Sequence, residues 1–487
     1  MIVLILYSLL LIPLLLNFWD LELYGTWLAL YAFFNLINVI EYGHGVYVGN
    51  EFNRIVHTDV EKSKVLLGSA LRANFLGGSL QIIVVLVFYY LGLFRYFLDE
   101  NIDDSTVVTI LLILFTYRML IGSFRGIIVK ILNPFGLIYK SFQYATLEKG
   151  VEFIVFGVSA ALGFSLIQLA LIWFVGKFIY SIFILFNLKK MLPEYFPWWK
   201  YGNFKIGIRN FRKSFSYAAS NFLDRLGHDG ITLIVSALVG SSFLPLFSAT
   251  KTIVNFGIKL SEFIIKPVDP EMINLFAKNK LKKIVDIFKV YWFVTGFILM
   301  LGFAVSLLFI EDLFTFWTNG KLEFNMMLYC SLVIILLLKT YGMVLVLFFT
   351  GINRLRIVLL TSVFRVALFF LIVYLVKDYE LYGVLFALFL SELLVVMCWL
   401  PYNAFKLFDL TFHEKITFYV YLFALLFLGV LFYLYTYNLI YSIFIFSFIA
   451  IISILFYQYK LISLSSRNII KNKLKTLFSF LPIPKSK

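Results

Sequence analysis

The chain has 487 residues, of which 62% are hydrophobic and 14% charged, with a net charge of +15 and a mean hydropathy of +0.94. No single soluble core of a chain this size hides that much apolar surface, so the medium that accepts it is a bilayer. Cys330 and Cys398 lie in apolar runs, and His44, His57, His228 and His413 are scattered without metal-ligand spacing, so neither a disulfide framework, a metal nor a cofactor is expected. The chain carries no phosphate-cradling glycine loop, nucleophile elbow or soluble carboxylate pair, which leaves enzymatic chemistry without a home.

A helix needs about 20 mostly apolar residues to cross the hydrocarbon core. Runs of that kind occupy 1–19, 24–48, 71–94, 107–131, 142–162, 165–188, 215–239, 243–268, 290–310, 324–349, 358–376, 381–401, 416–435 and 439–459, which predicts an all-α integral membrane protein of about 14 transmembrane helices. The first run lacks the basic start and small-residue cleavage site of a secretion signal and reads as a span. Pro13 within it is a bending point, static or gating.

Lys and Arg sort strongly between the two sides. Connections after odd-numbered spans hold Arg95, Lys321 and Lys377, whereas those after even-numbered spans, with the tail and the span edges, hold thirty of the 42 basic residues. Basic connections stay in the cytoplasm, which puts the even-numbered side and both termini there. Nucleic-acid binding is not expected, because the basic patches flank spans. The outer connections are short and acidic, with Asp99, Glu100, Asp103 and Asp104 in one and Glu311 and Asp312 in another. That leaves no outer domain of the size a membrane glycan polymerase needs.

The longest basic connection, 189–214, carries Pro193, Pro197, Trp198 and Trp199 and reads as an interfacial linker between an N-terminal lobe, 1–188, and a C-terminal lobe, 215–402. Spans 13 and 14 (403–459) form an appended pair, and 460–487 a basic tail. One internal echo supports two pseudo-symmetric six-helix lobes around a central cleft: amphipathic stretches beginning at Asn50 and Pro270 follow the second span of each half.

Nine basic residues remain inside spans: Arg118, Arg125, Lys149, Lys177, Arg225, Lys251, Lys259, Lys339 and Arg365. A Lys or Arg near the centre of a spanning helix costs at least about 2.5–3.5 kcal/mol, so it persists where a partner or a watery cavity compensates. Arg118 and Arg125 share a face with Gly122; Lys251, Asn255, Lys259 and Glu262 form a polar stripe; Asp224 with His228 and Arg225 with Asp229 stand at i, i+4. Seven acids share the spans: Glu41, Glu148, Glu152, Asp224, Asp229, Glu262 and Glu392. Lys149 beside Glu148 and Glu152 reads as snorkelling, and Glu392 as an ion-pair partner rather than a coupling-ion site. For Asp224, His228, Arg225 and Asp229, helix pairing and site lining stay open. Arg118, Arg125, Lys251 and Lys339 read as cavity lining, with Lys177 and Arg365 between the two readings. A basic cavity suits an anionic headgroup such as a pyrophosphate.

The stretch LELYGTWLALYAFFNLINVIEYGHGVYVGNEFNRI, with Tyr-Gly leading a second span that ends in Gly-rich sequence, resembles the opening of bacterial polysaccharide flippases of the O-antigen, capsule or exopolysaccharide type. SNFLDRLGHDGITLIVSALVGSSFLPLFSATKTI and KPVDPEMINLFAKNKLKKIVDIF resemble the seventh and eighth spans of the same group and the segment behind them. The resemblance implies the multidrug/oligosaccharidyl-lipid/polysaccharide exporter (MOP) superfamily: two lobes facing across a cleft that opens alternately to either side. It implies flipping of polyprenyl-diphosphate-linked oligosaccharide for surface polysaccharide, including lipopolysaccharide, in a bacterial cytoplasmic membrane. Arg118, Arg125, Arg225, Lys251 and Lys259 match the cleft lining, to which Lys177, Asn255, Lys339 and Arg365 are added as substrate-binding candidates. Asp224, Asp229 and Glu392 are candidates for a coupling ion, proton or sodium, or for ion pairs. Membrane lipids and polysaccharide-assembly proteins are candidate partners of a monomer. A cation-coupled multidrug antiporter of the same superfamily, a membrane glycan polymerase and a membrane scaffold are the competing readings.

Overall fold

The computed structural model describes residues 2–96, 103–352, 354–412, 414–416, 418–423, 427 and 460. Among them there are helices and turns but no strand. In hydrocarbon every backbone N–H and C=O needs an internal partner, and helices supply it within one segment.

In chain order the helices are α1 (Ile2–Phe18), α2 (Leu21–Ile55), α3 (Val60–Tyr90), α4 (Asp104–Tyr117), α5 (Ser123–Lys130), α6 (Ile138–Ala161), α7 (Leu166–Met191), α8 (Phe204–Arg225), α9 (Ile231–Val239), α10 (Leu244–Val254), α11 (Phe256–Ile265), α12 (Asp269–Ala277), α13 (Leu281–Ser306), α14 (Ile310–Trp317), α15 (Met326–Gly351), α16 (Leu355–Val376), α17 (Glu380–Leu394) and α18 (Leu400–Phe408). Three π-turns splice neighbours into single bodies: Arg118–Gly122 joins α4 to α5, Leu226–Gly230 joins α8 to α9, and Val395–Trp399 joins α17 to α18. Helical structure coincides with twelve of the fourteen expected spans; the thirteenth is described at 418–423, and the fourteenth lies outside the described residues, as do Asp99, Glu100 and His413. Six helical stretches are long and apolar enough to cross a membrane by length and composition alone, with a seventh if the two arms of α2, bent by 44° between Asn38 and Gly43, count together. The protein is an all-α, multi-pass membrane protein.

Polar residues start the helices where the chain leaves water. Asp20 accepts from the Leu23 amide at 2.7 Å, Asp59 from Lys62 at 2.9 Å and Asn325 from Leu328 at 2.9 Å, while Ser165 and Gln168 form a reciprocal capping box. The 189–214 segment differs from a plain linker. Two short 3₁₀ turns, Pro193–Tyr195 and Trp198–Lys200, are followed by α8, which starts at Phe204 because Asn203 caps it, accepting from the Lys205 amide at 2.6 Å. The small Gly207 lets α8 seat on α3: a Cβ there would stand 2.5 Å from the Ser69 carbonyl oxygen.

Two compact units emerge. The first is Met1–Ala249 with Thr315–Glu323, and the second is Thr250–Phe314 with the described residues from Phe324 onward. Unit 1 extends through α8 and α9, since α8 runs along α2 and α3. Its Thr315–Glu323 turn clasps α1: the Trp317 indole donates to the Leu9 carbonyl at 2.7 Å, and the Asn319 amide donates to the Asn17 side-chain oxygen at 2.7 Å. Unit 2 is organised around Trp292, which stacks on Tyr341 at 4.5 Å and donates to its carbonyl at 3.0 Å.

Glycine permits the closest helix approaches. A Cβ on Gly25 would lie 1.8 Å from the Ser241 carbonyl oxygen, and one on Gly78 would lie 2.6 Å from the Met119 Cα in the first π-turn. Gly77, its neighbour, would present a Cβ at an ordinary 3.4 Å from Glu41. Gly78→Ala is therefore expected to destabilise by about 1–3 kcal/mol through overpacking, whereas Gly77→Ala stays neutral or stabilises by about 1 kcal/mol on helix propensity. Thermal unfolding of the purified variants in detergent checks the contrast.

Candidate functional site

Unit 1 holds a half-open cavity of about 400 Å³. Its walls are Tyr31, Phe34, Asn35 and Asn38 of α2; Tyr117, Arg118 and Arg125 of the α4–α5 body; Glu148 and Glu152 of α6; Trp173 and Lys177 of α7; and Asn221 and Arg225 of α8. The volume falls within the roughly 300–1,000 Å³ of small-molecule sites, and aromatic walls with a few convergent polar groups are their usual lining.

The charges form a network. Arg125 is bidentate on Glu148, Nη1 to Oε2 and Nη2 to Oε1, both at 2.6 Å. Lys177, 4% exposed, reaches Glu148 as well and donates to Glu152 at 2.5 Å. Lys149 closes the far side on Glu152 at 2.5 Å and lies over the Tyr7 ring at 5.0 Å. Arg118 donates through Nη2 to Glu41 Oε2 at 2.9 Å. Aromatic packing holds the frame: Lys177 lies over Trp173 at 5.3 Å, and the Trp173 ring packs edge-on to both Tyr117 and Phe34. The Tyr117 and Ser181 hydroxyls share a hydrogen bond at 3.1 Å, and the Tyr180 hydroxyl donates to the Tyr144 carbonyl at 2.6 Å, tying α7 to both neighbours.

The π-turn at Arg118–Gly122 matters for the geometry. It inserts one residue into the helical register, the kind of local defect that recurs at functional sites. Arg118, at its start, and Arg125, beyond it, both reach the cavity. Arg225 stands immediately before the second π-turn and pairs with Asp229 at 3.1 Å, while remaining 53% exposed.

Of the expected cleft residues, Arg118, Arg125, Lys177 and Arg225 are thus brought together. Lys251, Asn255, Lys259, Lys339 and Arg365 belong to unit 2 and are not among the walls of this cavity. Their stripe on α10 and α11 is real: the Asn255 amide donates to the Lys251 carbonyl and the Lys259 amide to the Asn255 carbonyl, so the three occupy successive turns. Lys259 stands 3.9 Å from Glu262. In the core of unit 2, Arg365 pairs with the buried Glu392 at 2.6 Å through Nε and 3.0 Å through Nη2, and both charges act on Lys339. The Asp224 and His228 side chains lie outside those described.

Sequence reasoning missed the neutral lining, Tyr31, Phe34, Asn35, Asn38, Tyr117, Trp173 and Asn221, and did not assign Glu41, Glu148 and Glu152 to the site. The three asparagines carried a usable signal, because an amide inside an apolar span needs the same explanation as a charge.

Removing one member of a buried pair leaves the other uncompensated, at about 3–5 kcal/mol. Because Glu148 keeps Arg125 and Glu152 keeps Lys149, Lys177→Met is expected to lose less than that, about 1.5–3 kcal/mol, and Lys177→Met combined with Glu152→Gln to lose less than the two single changes added together. A double-mutant cycle by unfolding in detergent measures the coupling, and a cost under about 1 kcal/mol for the single variant would mark the pairs as water-screened.

No family model matches the chain, and no curated protein matches it by sequence. Solved structures do. An inward-facing multidrug resistance MATE family transporter of the MOP superfamily is 15% identical with a TM-score of 0.63, over 83% of this chain and 96% of that one. The lipid II flippase MurJ, in an inward closed conformation, is 14% identical with a TM-score of 0.63, over 96% of this chain and 97% of that one. A MOP superfamily transporter from Pyrococcus furiosus, described by the reverse polarity of its binding pocket, is 16% identical with a TM-score of 0.56, over 84% and 93%. The chain has the fold of these MOP superfamily transporters.

Proposed function

We propose that this protein is a flippase for polyprenyl-diphosphate-linked oligosaccharide, moving the repeat unit across a bacterial cytoplasmic membrane by alternating access for surface polysaccharide assembly. The observation that carries the reading is the cavity of about 400 Å³ in which Arg118, Arg125, Lys177 and Arg225 converge among aromatic walls. A diphosphate bearing sugars cannot cross hydrocarbon unaided, because unpaired charge and many hydroxyls are too costly to bury. A site that moves it must supply donors in place of water, and forked guanidinium groups match phosphate oxygens two at a time.

Each of Arg118, Arg125 and Lys177 is held by a carboxylate. Binding is therefore an exchange in which phosphate oxygens take over donors that Glu41, Glu148 and Glu152 hold in the empty site. The resting pairs keep the cations soluble in the membrane and leave them available to a stronger, more highly charged acceptor. Both termini in the cytoplasm, relative movement of the two halves of the chain, and a contribution of Lys251, Asn255, Lys259, Lys339 and Arg365 to the substrate path belong to the same proposal. So does Asp224.

A cation-coupled multidrug antiporter is the second reading. One observation favours it: Glu148 and Glu152 share the cavity with Tyr31, Phe34, Tyr117 and Trp173, and carboxylates with ring faces suit an organic cation.

Replacing Arg118 and Arg125 with Ala separates the two in cells that depend on the protein for surface glycan. The flippase reading expects accumulation of lipid-linked oligosaccharide on the cytoplasmic face and loss of surface glycan at normal protein levels. Unchanged glycan would remove both residues from the mechanism. Arg125→Lys, which keeps the charge but loses the fork, is expected to fall between the two.

A further inference from the structure

The first turns of α8 carry three separate faces. Gly207, Asn210 and Ser214 are buried on one of them, where the helix runs along α2 and α3. At about 3.6 residues per turn, Phe204, Ile208 and Phe215 fall within about 40° of one another on a second face. They are 50%, 43% and 66% exposed. Lys205, Arg209, Arg212 and Lys213, all exposed, fill the next arc of about 100°. No acid occurs on α8 before Asp224, and among the described residues none of these four cations makes an ion pair. The cavity is built the other way, with Arg118, Arg125 and Lys177 each on a carboxylate.

The chain leading into α8 fixes this surface on α3. Arg72 donates through Nη1 to the Gly68 carbonyl at 3.0 Å and to the Tyr201 carbonyl at 2.7 Å, and its guanidinium lies 6.0 Å from the centre of the Phe204 ring. The Asn203 amide donates to the Ser69 hydroxyl at 2.9 Å. Gly202, at φ +112°, passes so close that a Cβ would stand 2.4 Å from the Gly68 carbonyl carbon. Trp199 and Tyr201, both exposed, add ring surface just before the helix. A water-facing segment has no reason to keep three large apolar side chains in one stripe, and a segment deep in hydrocarbon does not tolerate four unpaired cations beside them. Both stripes are satisfied where acyl chains meet headgroups, the rings in the first and the long cationic side chains reaching into the second.

We infer that this face of α8 binds the phosphate headgroups of anionic phospholipid, in the leaflet that the basic connections border. Charge complementarity selects the occupant, because clustered Lys and Arg on an amphipathic helix at the membrane surface attract an anionic leaflet. The apolar stripe selects lipid over free phosphate or an acidic protein, since only acyl chains take its rings out of water. From this face α8 runs unbroken to Asn221 and Arg225 in the cavity wall, so the headgroups anchor the same helix that carries a cavity cation. Lipid binding here does not rest on the flippase reading.

The test is native mass spectrometry of the purified full chain titrated with phosphatidylglycerol or phosphatidylcholine, which counts bound lipids and gives an affinity for each. Phosphatidylglycerol is expected to bind more tightly. Replacing Lys205, Arg209, Arg212 and Lys213 with Gln, singly and then together, is expected to weaken its first-bound molecules about fivefold per cation removed. Phe204→Ser with Phe215→Ser is expected to weaken both lipids while keeping the preference between them. As a control, Lys278→Gln, Lys280→Gln and Lys282→Gln together remove exposed cations of unit 2 and should leave those affinities unchanged. Equal affinity for the two lipids, or an equal loss in the control, overturns the site. So does displacement of phosphatidylglycerol by inorganic phosphate at matched ionic strength, or by a soluble short-chain prenyl diphosphate, which would assign the face to the cargo instead.

Discussion

The constraint on which the structure depends is the cost of holding charge in an apolar medium. Within unit 1 that cost is offset by pairing: Arg125 and Lys177 on Glu148, Lys177 and Lys149 on Glu152, and Arg118 on Glu41. Replacing such pairs with hydrophobic residues of similar volume is often neutral or stabilising, so burial of this kind is poor evidence of a purely structural role. The network borders a cavity rather than a closed seam. Charge that is costly, compensated and accessible has the properties expected of a site that exchanges one partner for another.

Local backbone geometry serves the same end. The π-turns at Arg118–Gly122 and Leu226–Gly230 lie in the two helical bodies that carry Arg118, Arg125 and Arg225, and the third directly follows the turn that carries Glu392. Each shifts the face presented by everything beyond it, which lets an apolar helix aim a charged side chain inward without turning its remaining charges towards lipid. Gly78 allows α3 to approach the first of these turns, so the packing of α3 against α4 and the placement of Arg118 are one problem with one solution.

Much of this was legible in the sequence. Apolar run length located twelve runs that the described structure bears as helices, and the i, i+4 spacing exposed Arg225 with Asp229, because neighbours on one helix need no knowledge of the fold. Glu392 was readable as an ion-pair partner, but its mate Arg365 was not. Pairs such as Arg118 with Glu41 join residues far apart in sequence on different helices, and hydropathy says nothing of which helices touch. The π-turns were invisible because a 3.6-residue period carries no mark of a single inserted residue. The early start of α8 was hidden by the basic, aromatic composition of 198–213, which reads as interface, whereas Asn203 capping and the fit of Gly207 on Ser69 make it helix.

The most direct measurement is transport itself. Purified protein reconstituted into vesicles with a fluorescent polyprenyl-diphosphate-linked saccharide should make the saccharide of the inner leaflet accessible to an enzyme or quencher added outside, at a rate that empty vesicles do not show. It should leave lipophilic organic cations undisturbed. Vesicles that export such cations while the saccharide stays in its original leaflet would contradict the account.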